Sequence, residues 1–415
     1  MSRSKLGRVH DSTSTPPHLA QPYPWPPQSA TGVGSLPGTD AVGAMRLIFD
    51  ELPDLPHVAE LPGRGLGADL IGRTAAILVD LPVDATPRGW RFAGRPGRDL
   101  RRAQSLLARD LDALEEVADG YRGALKIQVC GPWTMAATIE LTRSQEPVLA
   151  DPGAVGDLIA SLAEGVTVHV AGVRARVPGA DVLLQLDEPA LPAVLAGTVP
   201  SASGLNRVRA VEDDDAGSGL RAVLSAVRAP GLVHCCAASV PLGIIRGAGA
   251  QAAGIDLGQL REGEEEVLAE AVEAGLGIFL GAVPAIPPAA TAGRTAATGP
   301  GPAAREHIAE RAGAGQPPTP RDTAVRVTEL WRRMGWPESR PPGAGPAGPG
   351  PAPGRPAGGG AGDPALAGAA AISAQVVITP GCGLAGAPPR YAQAALARCR
   401  EAARLLPELI EEESR

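Results

Sequence analysis

The stretch Gly231–Ser239, GLVHCCAAS, is a short apolar run that stops abruptly at His234, Cys235 and Cys236. The residues before it read as a buried strand, so a nitrogen ligand and thiols fall at the strand's C-terminal lip. A second apolar run, residues 375–379, ends in PGCG and places Cys382 in the same relation to its own strand. Cys thiolate and His imidazole are the usual ligands of zinc. In an extended segment His234 and Cys236 point one way and Cys235 the other, which assigns Cys235 to packing. The expectation is that the two strand ends meet and hold one Zn²⁺ through His234, Cys236 and Cys382.

Working outward, DVLLQL (181–186) is another apolar run, ending in Asp187-Glu188-Pro189. Residues 31–34, 57–61, 125–129, 254–257 and 277–280 complete a set of eight short strands, most of them followed by a helical pattern. Arg98–Ala118 is the clearest helix, with Leu100, Leu106, Leu107, Leu111, Leu114 and Val117 on one face. Residues 40–52, 68–78, 151–177, 218–228, 241–248, 264–274, 321–334 and 389–411 also carry helical patterns, whereas 82–97 looks irregular. Strands alternating with helices predict a parallel sheet. Eight such units predict a (β/α)₈ TIM barrel in a single domain, with a doubly wound open sheet as the runner-up. No G-x-G-x-x-G follows the first strand, and Ser35, Glu60, Asp187, His234, Cys236 and Cys382 all stand at strand C-terminal ends. A barrel builds its site on that one face.

Composition bounds the rest. The chain has 415 residues, 44% of them hydrophobic but only 3% aromatic, so the core is Ala, Val, Leu and Ile. A net charge of −7 and the lack of a basic stripe argue against nucleic acid as a partner. No unbroken apolar run suggests a membrane span, and the N-terminus lacks the apolar region of a secretory signal. These features predict a cytoplasmic protein. Its five cysteines are more easily free, metal-bound or catalytic than paired, with Cys130 and Cys399 in apolar settings that suit packing. The 53 Gly and 43 Pro cluster. Residues 1–29 read as a disordered extension before a domain spanning 30–415, and 285–320 and 338–370 as flexible Pro/Gly/Ala-rich insertions.

Four motifs in order, Val33-Gly34-Ser35, LDEPAL (186–191), His234–Cys236 and PGCGL (380–384), resemble the C-terminal catalytic barrel of the cobalamin-independent methionine synthase family, in a short single-barrel form. The resemblance implies a zinc-dependent methyltransferase that moves a methyl group from a methyl-folate or methyl-corrinoid donor to homocysteine, giving methionine. It implies His234, Cys236 and Cys382 as metal ligands, Ser35 on the substrate carboxylate, and Glu60 and Asp187 on its ammonium. The family's fourth ligand, a glutamate, is replaced here by Asp256 or by water. Where folate-using members carry a pterin-stacking Trp, this chain has Thr138, with Trp133 nearby instead. Another small thiol as substrate, and a non-catalytic zinc barrel acting as sensor or partner protein, stand as alternatives. On residues alone, Ser35 and Asp187 also suit turn and helix caps, and Glu188 suits a structural role.

Overall fold

A computed structural model describes residues 23–287, 315–335 and 372–413. Its centre is a six-stranded parallel sheet. The strands are β3 (Gly123–Cys130), β4 (Ala180–Asp187), β5 (Gly231–Cys235), β6 (Ala252–Asp256), β7 (Gly277–Val283) and β8 (Val376–Pro380), hydrogen-bonded in chain order. Helices follow the strands, as short apolar parallel strands require.

The first two expected strands are present only as short extended segments joined by single bridges. Ala30 pairs with Ile378, Ser35 with Glu60, and His57 with Lys126, all parallel. Backbone bonds run from Thr31 to Ile378 (3.1 Å), from Leu36 to Glu60 (2.9 Å) and from Val58 to Lys126 (3.0 Å). The two segments therefore span from the β8 edge of the sheet to its β3 edge. Gly32, Gly34 and Pro56 break up these runs, which explains why neither becomes a regular strand.

Register sorts the side chains into two layers. Lys126 pairs with Leu183, Gln128 with Gln185 and Cys130 with Asp187, so these residues share one face. Asp187 in turn pairs with His234, and His234 with Gly254. The lower part of this face is a separate apolar cluster of Leu55, Ala124, Leu183, Leu232, Ala252, Phe279 and Val377, closed by Trp25. The opposite face, with Leu125, Ile127, Val129, Leu184, Leu186 and Val233, joins the main core beneath the helices.

The helices match their start signals. α1 (Ala41–Glu51) begins at Asp40, whose side chain accepts from Gly43 N, and α2 spans Leu70–Ala75. Further on, α3 is Arg98–Val117, α4 Pro132–Thr138 and α5 Pro152–Arg176, the last capped by Asp151 with Pro152 in its first turn. Then come α6 (Leu191–Leu195), α7 (Asp213–Ser225), α8 (Leu242–Gly247), α9 (Glu264–Glu273), α10 (Pro320–Arg333) and α11 (Pro389–Glu413). By length and composition α5 alone among the described helices would suit a membrane span. Its apolar face, including Leu158, Leu162, Val166 and Val173, is instead buried in the core.

Two expectations need correction. Residues 82–97 are not irregular: β1 (Val83–Thr86) and β2 (Gly89–Phe92) form an antiparallel hairpin. The Thr-Pro-Arg-Gly turn hid it, and buried Trp90 fixes it to the core. The domain also begins earlier than residue 30, because Trp25 is only 2% exposed and Ser29 is fully buried. Most of the insertions at 285–320 and 338–370, like residues 1–22, lies outside the described residues.

Candidate active site

The candidate residues converge at the C-terminal end of the sheet through a chain of contacts. Cys382 Sγ lies 3.1 Å from Cys236 Sγ, although 146 residues separate them in sequence. The two thiols share a hydrogen bond, and this coupling holds the Cys382 thiol down to about 6 while it and burial push Cys236 up. Cys235 is fully buried on the opposite parity, and burial pushes its thiol up to about 12.

His234 stands close to this pair. Its Nδ1 is 2.8 Å from Asp187 Oδ1, while its Nε2 is buried with no hydrogen-bond partner. Asp187 Oδ1 also accepts from Gln185 Nε2 at 2.7 Å. A carboxylate on Nδ1 places the proton there and leaves Nε2 as a free lone pair, the usual arrangement behind a metal-ligating histidine. Buried polar atoms without partners are rare, so Nε2 asks for an occupant.

Ser35 reaches the site through the PGCG loop. Its carbonyl accepts from Leu384 N at 2.8 Å. A Cβ at Gly383 would fall 2.1 Å from Ser35 Oγ, so glycine at this position lets the PGCG loop approach Ser35 this closely. Ser35 in turn bridges to Glu60. Glu60 is buried, 3.6 Å from Arg73 Nε, and its carboxyl is raised to about 7 by burial against the opposing pull of Arg73, with Asp187 adding to the rise. Arg73 and Arg64 both meet the buried Asp110 behind it.

Asp256 lies at the end of β6, alongside the PGCG loop: a Cβ at Gly381 would be 2.6 Å from its Oδ1. That oxygen accepts from Gly258 N at 2.8 Å, capping the turn that follows. Among the described residues no three His, Cys, Asp or Glu side chains form a ready-made metal cluster. Thiolate and imidazole nitrogen are the donor types that zinc takes.

Other residues have different duties. Glu188 is fully buried and accepts from Trp133 N (2.9 Å), Thr134 N (2.7 Å) and Thr134 Oγ1 (2.7 Å), so it caps α4. Trp133 is 3% exposed and donates its indole N–H to Ala216 O. It is held as a packing residue, and Thr138 bonds back to Thr134 O within its own helix. A cavity of about 880 Å³ between α4, α5, α7 and residues 201–212 is lined in part by Trp133 but by none of Ser35, Glu60, Asp187, His234, Cys236, Asp256 and Cys382.

Sequence reasoning missed Lys126, Gln128 and Gln185, which form a polar layer below Asp187. The signal was present: in LKIQV and LLQLD the polar residues fall at alternate positions of otherwise apolar strands.

No protein-family model matches the chain, and no curated protein matches it in sequence. Among solved structures it is similar to a B12-independent methionine synthase from Shewanella sp. W3-18-1, determined in complex with selenomethionine. The TM-score is 0.55 at 11% identity, covering 92% of this chain and 99% of that one. At that identity the likeness describes the fold, an α/β architecture around a curved parallel sheet.

Proposed function

We propose that this chain is a zinc-dependent methyltransferase acting on the sulfur of homocysteine, built on a single (β/α)₈ barrel in which the Ala30–Ser35 and His57–Glu60 segments are the first two staves. The observation that carries the reading is the meeting of Cys236 and Cys382 beside a histidine whose Nε2 is orphaned and whose Nδ1 is fixed by Asp187. His234, Cys236 and Cys382 would hold the metal, with Asp256 or water completing the set. Zinc bound there would deprotonate a substrate thiol that is mostly protonated at neutral pH, its free pKa being about 8.5.

The chain's own residues then orient the amino acid. Ser35 takes its carboxylate, and Glu60, with the outer side of Asp187, takes its ammonium. So oriented, the sulfur attacks the methyl carbon in line: the S–CH₃ bond forms as the donor–CH₃ bond breaks, and the donor leaves with that electron pair. With Trp133 committed to packing and Thr138 at the end of α4, no aromatic plane from these positions is offered to a pterin. Methyl-folate is therefore expected to be a poorer donor than a methyl-corrinoid.

Methionine formation from homocysteine, measured with each donor before and after zinc removal and restoration, tests the reading. No product with any donor would overturn the assignment of function, and fast turnover with methyl-folate would overturn the donor argument. Asp187→Asn probes the support of His234. It should lower zinc affinity about 10–100-fold, as loss of a ligand's hydrogen-bond partner usually does. Unchanged affinity in a competitive chelator titration would separate Asp187 from the metal.

A further inference from the structure

We propose that Lys126 is a positioning residue for the carboxylate end of the substrate: from inside the barrel it holds the Val33 carbonyl, and with it Ser35, against β3. The inference rests on the homocysteine reading above and adds a residue to it. Lys126 is fully buried at the middle of β3, on the same face as Gln128, Gln185 and Asp187. Its Nζ donates to Val33 O at 2.9 Å and approaches Gln128 Oε1 at 3.4 Å. Gln185 Nε2 donates to the same Val33 carbonyl at 2.9 Å, and Gln128 Nε2 donates to Val58 O at 2.6 Å.

These bonds matter because the pairing they reinforce is thin. The segment carrying Ser35 meets the next through the Ser35–Glu60 bridge, and that one meets β3 through the His57–Lys126 bridge. Val33 lies two residues before Ser35, and Val58 two before Glu60. An internal layer of donors thus ties both weakly paired segments to β3 and β4 directly beneath the site. A buried ammonium is costly unless its bonds are satisfied, so an apolar side chain would be the cheaper filler if closure were all that was needed. Burial pushes Lys126 down to about 8, while Asp187 and Glu60 favour its charged form.

Removal of Lys126 should act on one end of the ligand only. Lys126→Met deletes a charge-assisted bond to Val33, leaving Gln185 as the side-chain donor to that carbonyl, and so loosens Ser35. It also removes a positive charge that helps keep Glu60 ionised, so the comparison is run at a pH well above 7, where the Glu60 carboxylate holds an ammonium with or without Lys126. Binding to the zinc-loaded protein is compared for homocysteine, for 4-mercaptobutanoate, which lacks the ammonium, and for 3-mercaptopropylamine, which lacks the carboxylate.

The two carboxylate-bearing thiols should lose about tenfold in affinity, and the amine should change by less than about twofold. Lys126→Gln, which keeps a donor for Val33, should recover most of the loss. Equal losses for all three thiols, or none, would overturn the Lys126 assignment. If the Met variant does not fold, the Gln variant decides: a carboxylate-selective defect as large as tenfold there would show that the Val33 bond is not what matters. A wild-type protein that does not prefer homocysteine over the two truncated thiols would instead overturn the proposed function.

Discussion

Cys382→Ala is expected to leave the purified protein with almost no zinc after dialysis against a chelator, where the wild type keeps about one ion per chain. Structural zinc sites bind with roughly 10–16 kcal/mol spread over four ligands, so one lost thiolate is worth about 3 kcal/mol, or over a hundredfold in affinity. The thiol pair sharpens this expectation. Cys382 is the member held in the ionising direction by its hydrogen-bonded coupling to Cys236, and thiolate is the form that binds metal. Cys235→Ala is the control, since Cys235 is buried on the other face of β5. Metal analysis and thermal melting on both variants separate ligand loss from misfolding. Full zinc content in a folded Cys382→Ala protein would remove Cys382 from the metal site.

Trp25→Ala is expected to destabilise the fold by about 3–5 kcal/mol, a large share of the 5–15 kcal/mol that holds a typical domain together. The Trp25 ring meets Phe279 edge-on, with centroids 5.0 Å apart, and stacks on Tyr23 at 5.1 Å. Its indole N–H donates to Ala374 O at 2.9 Å. Gly277 leaves room for it: a Cβ there would lie 2.5 Å from the ring. Trp25 thus seals the apolar floor beneath Lys126 and the site. Urea denaturation would reveal the loss as a lower midpoint, and a midpoint within experimental scatter of wild type would place Trp25 outside the core.

The sequence reading of the domain edge went wrong at this residue for a physical reason. QPYPWPPQSA carries no periodicity, because Trp25 packs as a plug rather than as part of an element. Local pattern reports only what neighbours along the chain bury together. The β1–β2 hairpin failed for a related cause, since its alternation is short and interrupted by Pro87. Helices fared better: the span expected from Asp40 to Leu52 has those two residues as its caps around Ala41–Glu51. Long amphipathic faces and Asp caps are local properties, and chain order alone preserves them.

By itself the sequence determined that the chain alternates strands and helices, that thiols and an imidazole sit at strand C-terminal ends, and that Cys235 turns away from Cys236. These follow from periods of two and 3.6 residues, which act over a handful of positions. Only the tertiary structure decided which strand ends touch: that Cys382 meets Cys236, that Gly383 yields to Ser35, and that Asp187 turns toward His234. It also decided that Lys126 is buried on the same face of the sheet as Asp187, and that Glu188 caps helix α4 while Trp133 packs within it. Such pairings join residues tens to hundreds of positions apart. They are set by the twist and curvature of the parallel sheet, which no single segment encodes.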